Sequence, residues 1–514
     1  MGEIAANYAN YTNVCVIGVI RGYVPVLNSV PNREVLVHRM PLVLFLAVLL
    51  VAAPAGAQEK IDTAMVMKIR AEGLEHSRVM EVFDHLVNVI GPRLTASPAY
   101  RTAVNWSRDR LVNMGLDNVH LEPWEFGRGW QLEKLTVEMI EPRYQPMIGY
   151  AKGWSPSTSG RLVATPVWIG NPGEDLRKYE GKLAGSIVMT RPILENFIRA
   201  DRPPSSGDLR RAATAFQRDG QIAAMLGKER PGVTLEPSDG EHGTVFVTGR
   251  DGGANSVPSI VLSAEHYNMI ARLLEQDIPV KLAVEIQSRF FDQDKNAYNV
   301  IAEIKGTDPA IGDEVVMAGA HLDSWHTGTG ATDNADGIAV EIEAMRILKT
   351  LGVKPRRTIR IALWGGEEQG LLGSAAYVKE HLAGEAGRAA RDKFSVYFNL
   401  DNGTPPITGF YLEGNEEMKP IMEAWLKPLN DLGATVSTLG KIGATDHLSF
   451  IRGGLPGFQA VQDYNNYDVR THHTNMDTYE RVSADALKQA SVVMASVLYD
   501  AAMRDAKIPR SPAK

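Results

Sequence analysis

The spacing of apolar positions changes twice along the chain. Within residues 58–127 they recur every three or four residues, as at Ile61, Met65 and Ile69, which is typical of amphipathic helices. Residues 132–140 then alternate as a strand does. From about 145 to 290, Gly, Pro and Ser separate short β-like runs, among them 243–247, and residues 200–240 read as a loop-rich excursion. This middle region is therefore predicted to be a separate, mainly β domain.

Beyond residue 298 the pattern alternates between strand and helix. Strands are predicted at 300–304, 314–320, 358–364, 395–400 and 458–461, and helices at 336–351, 371–382, 415–432 and 483–503, with Ser483 as the cap of the last. Such alternation predicts the α/β class, with a mostly parallel or mixed sheet sandwiched by helices.

The N-terminal part has the three components of a secretory signal peptide. Arg39 precedes an apolar run over 41–53, and Ala55-Gly-Ala57 offers a cleavage site. The run is about 13 residues long, shorter than the ~20 that a membrane span needs, so no stable membrane span is expected. An uncleaved anchor and a buried strand are the alternatives. We predict a start at Met40, cleavage after Ala57 and a secreted or periplasmic protein.

Length, composition and charge narrow the function classes. The chain has 514 residues, 44% of them hydrophobic and 22% charged, which is ordinary globular usage. The net charge of −7 provides no basic excess, so no nucleic acid partner is expected. Cys15, the single cysteine, lies before the cleavage site, so the exported part has no disulfide. The predicted divisions are 1–57 (upstream extension and signal peptide), 58–144 (helical part of the catalytic domain), 145–290 (inserted domain) and 291–510 (catalytic domain).

Polar residues cluster where the strands of the last region end. His321, the Glu367-Glu368 pair and Asp401 each closely follow an apolar strand, and the carboxyl ends of such strands form the ligand-binding edge of an open α/β sheet. Asp333 and the pair His472-His473 lie in loops of the same region.

Imidazoles with carboxylates are a ligand set that suits Zn²⁺. Taken singly, each cluster has a structural explanation, such as a capped loop or a helix N-terminal charge. Together they favour a metal centre with enough ligands for two ions that share a carboxylate. The residue pattern alone does not choose between His472 and His473.

Three segments carry a family resemblance: GAHLDSW with the following GATDNADG, then LWGGEEQGLLGS, and HHTNMDT. With them the chain resembles the M28 family of metallopeptidases, in particular a branch of carboxypeptidases. The resemblance implies the zinc-exopeptidase (phosphorylase/hydrolase-like) fold and two Zn²⁺ ions. It also implies that the middle region is a protease-associated domain, on the segments 180–188 and 257–263.

The resemblance further implies a role for each candidate residue. One zinc would be bound by His321 and Asp401, the other by Glu368 and His473, with Asp333 bridging. Glu367 would be the general base, and Asp323 would fix the tautomer of His321 from outside the ligand set.

The activity implied is a secreted di-zinc exopeptidase acting on short peptides or dipeptides. An aminopeptidase of the same family is the main alternative. An acyltransferase of the glutaminyl cyclase type and a non-catalytic binding protein on the same fold are less favoured, because no metal ligand is missing. Arg452, Arg470 and Lys441 lie near cleft segments as candidates for a substrate carboxylate. A homodimer is a possible assembly.

Overall fold

The computed structural model describes residues 59–171, 175–201 and 209–510, and for residues 209–218 only the backbone. The predicted signal peptide, its start at Met40 and cleavage after Ala57, and Cys15 lie outside the described residues. Within the described part, none of the helices has the length and apolar character that crossing a membrane requires.

The described residues form strands and helices whose bounds are as follows. The strands are β1 (Asp117–Glu125), β2 (Gly129–Glu141), β3 (Gln145–Pro146), β4 (Gly149–Ala151), β5 (Leu162–Ala164), β6 (Val167–Trp168), β7 (Ile187–Met189), β8 (Val233–Pro237), β9 (Ser259–Leu262), β10 (Lys281–Phe291), β11 (Asn296–Ile304), β12 (Val315–His321), β13 (Thr358–Trp364), β14 (Phe394–Asn399), β15 (Thr404–Tyr411), β16 (Val436–Thr438) and β17 (Gly457–Asp463). The α-helices are α1 (Thr63–Glu75), α2 (Val79–Asp84), α3 (Pro98–Asn113), α4 (Leu209–Glu229), α5 (Ala264–Glu275), α6 (Asp336–Thr350), α7 (Leu372–Tyr377), α8 (Arg388–Lys393), α9 (Met418–Leu426), α10 (His447–Arg452) and α11 (Ala484–Met503).

The larger sheet is mixed and eight-stranded, in the order β1-β11-β13-β12-β14-β17-β15-β16. Its centre, β13-β12-β14-β17, is parallel, whereas β11 pairs antiparallel with β13, and β1 pairs antiparallel with β11. Alternate residues of the central strands face opposite helix layers. Val316 and Ala318 pack into the core that includes α6 and α11, and Met317 packs into the core beside α7 and α10. Burial on both faces explains the continuous apolar runs of these strands and confirms the predicted fold class.

A second part of the chain, which we call the middle module (residues 129–291), contains two smaller sheets. One has the order β3-β2-β10-β5 and the other β4-β9-β8-β7-β6. Strand β2 lies before the predicted division at 144/145 but pairs along its length with β10. The sheet therefore spans that division.

Three sequence predictions about local structure are wrong. Residues 200–240 contain the 21-residue helix α4 rather than mainly loop, because the Pro and Gly residues lie mostly outside a stretch rich in helix-favouring Ala, Arg and Gln. Residues 117–125 form the edge strand β1 instead of continuing a helical region. This strand is held by backbone pairing to β11 and needs no apolar periodicity. Residues 243–247 form no extended strand; Phe246 makes an isolated bridge to Thr474.

The C-terminal helix α11 packs against α1 and α6 in the core. Ser483 stands at its N-cap position as predicted, although its side chain makes no capping hydrogen bond. Near the other end, Asp500 is only 5% exposed, and its Oδ2 has no hydrogen-bond partner among the described residues. Burial, with Asp62 and Glu59 nearby, raises the pKa of Asp500 to about 8.

This buried carboxyl makes stability depend on pH. Because the pKa of Asp500 is higher in the folded than in the unfolded chain, the folded state binds the extra proton and loses stability as pH rises from about 4 to about 8. We expect Asp500→Asn to remove this loss. Relative to the unchanged protein, its free energy of unfolding should rise by about 3 kcal/mol between pH 5 and pH 8. Urea unfolding at both pH values measures the difference.

Asp485→Asn is the matched control, because Asp485 is an exposed carboxylate on the same helix. Its stability relative to the unchanged protein should shift little over that pH range. Equal pH dependence of the two variants would contradict the account.

Candidate metal centre

Three parallel strands bring the candidate ligands to one edge of the large sheet. His321 is the last residue of β12, the Glu367-Glu368 pair follows β13, and Asp401 follows β14. Because these strands are neighbours and run in the same direction, their carboxyl ends meet. The Nε2 atom of His321 lies 3.5 Å from Oδ1 of Asp401 and 3.9 Å from Oε2 of Glu367.

Asp333 lies between two histidines, in the turn that leads into α6. Its Oδ1 is 3.1 Å from Nε2 of His321, and its Oδ2 is 3.6 Å from Nε2 of His473. On the far side, Nε2 of His473 is 2.9 Å from Oε2 of Glu368. One carboxylate therefore faces two imidazoles, and each imidazole has a second carboxylate beside it.

Several buried polar atoms of this cluster make no hydrogen bond of acceptable geometry among the described residues, although two of them have a polar atom nearby. They are Nε2 of His321, Oδ2 of Asp333 and both carboxylate oxygens of Glu368. Leaving such atoms unsatisfied in the interior is costly, and a cation would satisfy all of them. The donor set of imidazole nitrogens and carboxylate oxygens fits zinc.

The geometry groups the ligand atoms around Asp333 in two ways. His321, Asp333 and Asp401 form one set of converging atoms, and Asp333 forms a second with His472 and His473. His472 nevertheless has other neighbours: its ring stacks on Tyr467, with centroids 4.9 Å apart, and its Nδ1 lies 3.7 Å from Asp468. Glu368 approaches His473 instead, so the geometry is compatible with the ligand set that the family resemblance implied.

Asp323 approaches His321 chiefly through its backbone. The Nδ1 atom of His321 lies 3.0 Å from the backbone oxygen of Asp323, whereas the carboxylate oxygen is 3.7 Å away. The Asp323 carboxylate instead accepts hydrogen bonds from the backbone N–H groups of Glu367 and Glu368, both at 3.3 Å, and from the Thr95 hydroxyl at 2.8 Å. The backbone of Asp323 therefore orients the imidazole, and its side chain holds the Glu367-Glu368 turn.

Burial dominates the electrostatics of the cluster. It raises the pKa of both Glu367 and Glu368 well above the usual range, and the surrounding carboxylates reinforce the effect. For His321, burial opposes the imidazolium, but Asp401 and Glu367 outweigh it and raise the pKa of the ring. The cluster is thus short of positive charge, which a bound cation would supply.

Two supporting residues escaped the sequence analysis. Arg93 is fully buried and donates to the backbone oxygens of Gly91, Leu322, Thr329 and Gly330, each within 2.9 Å. These bonds tie the segment before α3 to the loop after His321. Burial lowers the pKa of Arg93 to about 10. Its sequence signal is weak, because it is one arginine beside a Gly-Pro turn.

Asp477 is the second supporting residue. Its carboxylate accepts from the N–H and hydroxyl of Thr332, at 2.7 and 2.9 Å, and from the N–H of Asp333 at 3.2 Å. It thereby fixes the turn that carries Asp333. Burial and the neighbouring Asp333 raise the pKa of Asp477 to about 7. The motif HHTNMDT contained this residue, but its spacing alone gave no role.

Two further histidines have structural surroundings. His326 lies with Nε2 2.7 Å from the backbone oxygen of Ala151, and burial lowers its pKa to about 4. His447 is fully buried with Nε2 3.4 Å from Glu413. Neither belongs to the converging ligand atoms found among the described residues.

Comparison with known proteins finds the family that the motifs resemble. Residues 299–498 match the sequence profile of Peptidase family M28. The human protein named Carboxypeptidase Q is 26% identical over 446 residues, which are 87% of this chain and 90% of that protein. A protein named Aminopeptidase from Pseudomonas aeruginosa is 28% identical over 379 residues, 71% of this chain and 62% of that protein.

Solved structures give the same result. The crystal structure of a Peptidase M28 precursor from Shewanella amazonensis superposes with a TM-score of 0.68 and 26% identity, over 88% of this chain and 99% of that one. A zinc aminopeptidase from Bacillus subtilis, BSAP, shares the fold with a TM-score of 0.56 and 20% identity, over 82% of this chain and 94% of that one. The resemblance inferred from the motifs is confirmed.

The contacts of Asp323 lead to a prediction. Asp323→Asn keeps the size of the side chain but replaces one carboxylate oxygen with an amide N–H₂. This N–H₂ would face a backbone N–H group, of Glu367 or Glu368, that donates to the carboxylate in the unchanged protein. The Glu367-Glu368 turn should shift, and we expect the rate constant for hydrolysis of a susceptible peptide to fall about tenfold or more, as for other residues that orient metal ligands.

The matched control is Asp294→Asn, which changes a carboxylate 37% exposed that pairs with Arg101 away from the cluster. Its rate should stay near that of the unchanged protein. A full rate for Asp323→Asn, with circular dichroism showing an intact fold, would contradict the assignment.

Proposed function

Because residues 299–498 match the sequence profile of Peptidase family M28, we propose that the protein is a secreted di-zinc exopeptidase that hydrolyses short peptides or dipeptides. The coarser statement, that it is a metallo-exopeptidase, is supported by the family and by relatives named as carboxypeptidases and aminopeptidases. We propose the number of ions, the substrate class and the export in addition to that statement. The assignment of the middle region to a protease-associated domain stays a prediction.

The observation that carries the proposal is the position of Asp333 between two histidines. We assign His321 and Asp401 to one zinc, Glu368 and His473 to the other, and Asp333 to both. The unsatisfied buried atoms of these residues support the assignment. When bound, the two ions supply Lewis-acid polarisation of the scissile carbonyl and a water of lowered pKa.

Glu367 is the proposed general base. It is buried at the same edge of the sheet, with Oε2 3.9 Å from His321, and the Asp323 carboxylate anchors its backbone. In its ionised form, the carboxylate can take a proton from the attacking water. The resulting carboxylic acid then donates that proton to the leaving amine.

A cavity within the middle module is the proposed place for a small substrate with a free carboxylate. It measures about 520 Å³, and its lining includes Trp154, Thr248 and Arg250, a size within the range of small-molecule pockets. Gly153 of its lining approaches Trp325, since a Cβ added to Gly153 would lie 3.2 Å from that ring, and Trp325 also lines a small pocket with Asp333 and His473. The Arg250 guanidinium suits a carboxylate.

The choice between the two peptide termini rests on these features and on the relatives. The proteins named Carboxypeptidase Q align over 90% of their length and the one named Aminopeptidase over 62%. We therefore favour a carboxypeptidase or dipeptidase similar to Carboxypeptidase Q, with an aminopeptidase as the second candidate. Export rests on the predicted signal peptide alone.

A substitution of Glu367 separates its role from metal binding. Glu367→Gln cannot take up a proton but keeps the size of the side chain. We expect hydrolysis to slow by about 10²-fold or more, while two zinc ions per chain remain measurable by elemental analysis. Glu368→Gln is the matched control, because the adjacent carboxylate is assigned to zinc and its loss should lower the zinc content. More than a tenth of the normal rate in Glu367→Gln would contradict the role of Glu367.

A peptide panel identifies the terminus. One peptide is offered free at both ends, N-acetylated or C-amidated, with a free dipeptide alongside, and products are read by mass spectrometry with and without a chelator. Cleavage of the free and acetylated forms alone indicates a carboxypeptidase, and cleavage of the free dipeptide alone indicates a dipeptidase. Cleavage of the free and amidated forms alone indicates the aminopeptidase.

Cleavage that survives the chelator would contradict the metal mechanism. Absence of any cleavage by zinc-loaded protein would instead favour the acyltransferase or the binding protein.

A further inference from the structure

The segment that carries His473 lies against the middle module. We call residues 470–475 the histidine segment and residues 241–247 the module segment. The N–H of Val247 donates to the backbone oxygen of His473 at 2.9 Å. The candidate zinc ligand is therefore bonded directly, through its own backbone, to a part of the chain more than 200 residues away.

Two side chains of the histidine segment reinforce this contact. The Asn475 amide accepts from the N–H of Val245 at 2.7 Å and donates to the backbone oxygen of Gly243 at 3.2 Å. The Arg470 guanidinium donates to the backbone oxygen of Glu241 at 2.9 Å and to the Thr244 hydroxyl at 2.8 Å. The two side chains bracket His473 in sequence, so the segment is fixed on both sides of it.

The backbone of His473 needs such support. Its φ is +60°, in the left-handed region that non-glycine residues adopt only when the surroundings impose it. The ring is 27% exposed, whereas the other candidate ligands are nearly fully buried. Packing alone holds this imidazole less tightly than the others, and the hydrogen bonds to the module segment compensate.

We propose that the module segment positions His473 for metal binding, with Asn475 and Arg470 as positioning residues, so that the middle module is part of the second zinc site. The inference rests on the proposed function. It also removes Arg470 from the candidates for a substrate carboxylate, since its guanidinium is already engaged by the module segment and by Nδ1 of His242 at 2.9 Å.

The test compares two identical substitutions within the middle module. Thr244→Val removes the hydroxyl that accepts from Arg470, with almost no change in volume. Thr234→Val removes a hydroxyl that bonds only within the module, to Pro258 and Ser259. The full-length variants, stripped of metal by a chelator, are titrated with zinc chloride by calorimetry.

We expect the dissociation constant of the more weakly bound zinc ion to rise about tenfold in Thr244→Val, as it does when other residues that orient a ligand are changed. In Thr234→Val the same constant should stay within about twofold of its value in the unchanged protein. Asn475→Ala should raise the same constant by at least as much. Asn475→Asp should recover part of the affinity, because its oxygen still accepts from Val245.

The inference would be overturned if the more weakly bound zinc ion had the same dissociation constant in Thr244→Val, in Asn475→Ala and in Thr234→Val. Circular dichroism checks each fold; should Asn475→Ala fail to fold, Thr244→Val decides alone. If the unchanged protein binds two zinc ions and cleaves peptides, and the variants do so with the same zinc affinity, only the positioning role is refuted. Unchanged protein that binds no zinc refutes the proposed function and this inference with it.

Discussion

The candidate centre depends on one carboxylate that faces two imidazoles. The two oxygens of Asp333 point to His321 and to His473, and further carboxylates, those of Asp401 and Glu368, lie beside the same imidazoles. A buried carboxylate cluster of this kind is unfavourable without cations. A bound cation relieves the repulsion between the carboxylates, and this relief favours cation binding. For this physical reason we regard the cluster as a metal centre rather than as a structural polar network.

The rest of the structure serves to hold that carboxylate and its partners still. Asp477 fixes the turn that carries Asp333, Asp323 fixes the Glu367-Glu368 turn, and Arg93 ties the surrounding loops together through backbone oxygens. All three are buried charged side chains whose hydrogen bonds go mainly to backbone groups. Ligands placed on loops thereby gain the rigidity that ligands on strands have already.

The sequence was sufficient to predict the strands that have a regular apolar pattern and the polar residues that lie together at the strand ends. The apolar runs predicted the central strands, and the residues at their ends predicted the centre, because parallel strands must bring those ends together. Features that depend on distant partners were not predictable. Edge strand β1 has no apolar pattern of its own, the role of Asp323 depends on two N–H groups 44 and 45 residues away, and the contact of the middle module with His473 has no local signature.

Crystallography at the zinc absorption edge would show directly whether two zinc ions share Asp333. We predict two anomalous peaks about 3.5–4 Å apart, one beside His321 and Asp401, the other beside Glu368 and His473, with a different oxygen of Asp333 facing each. A single peak, a peak ligated by His472 in place of His473, or no peak in zinc-soaked crystals would contradict the account.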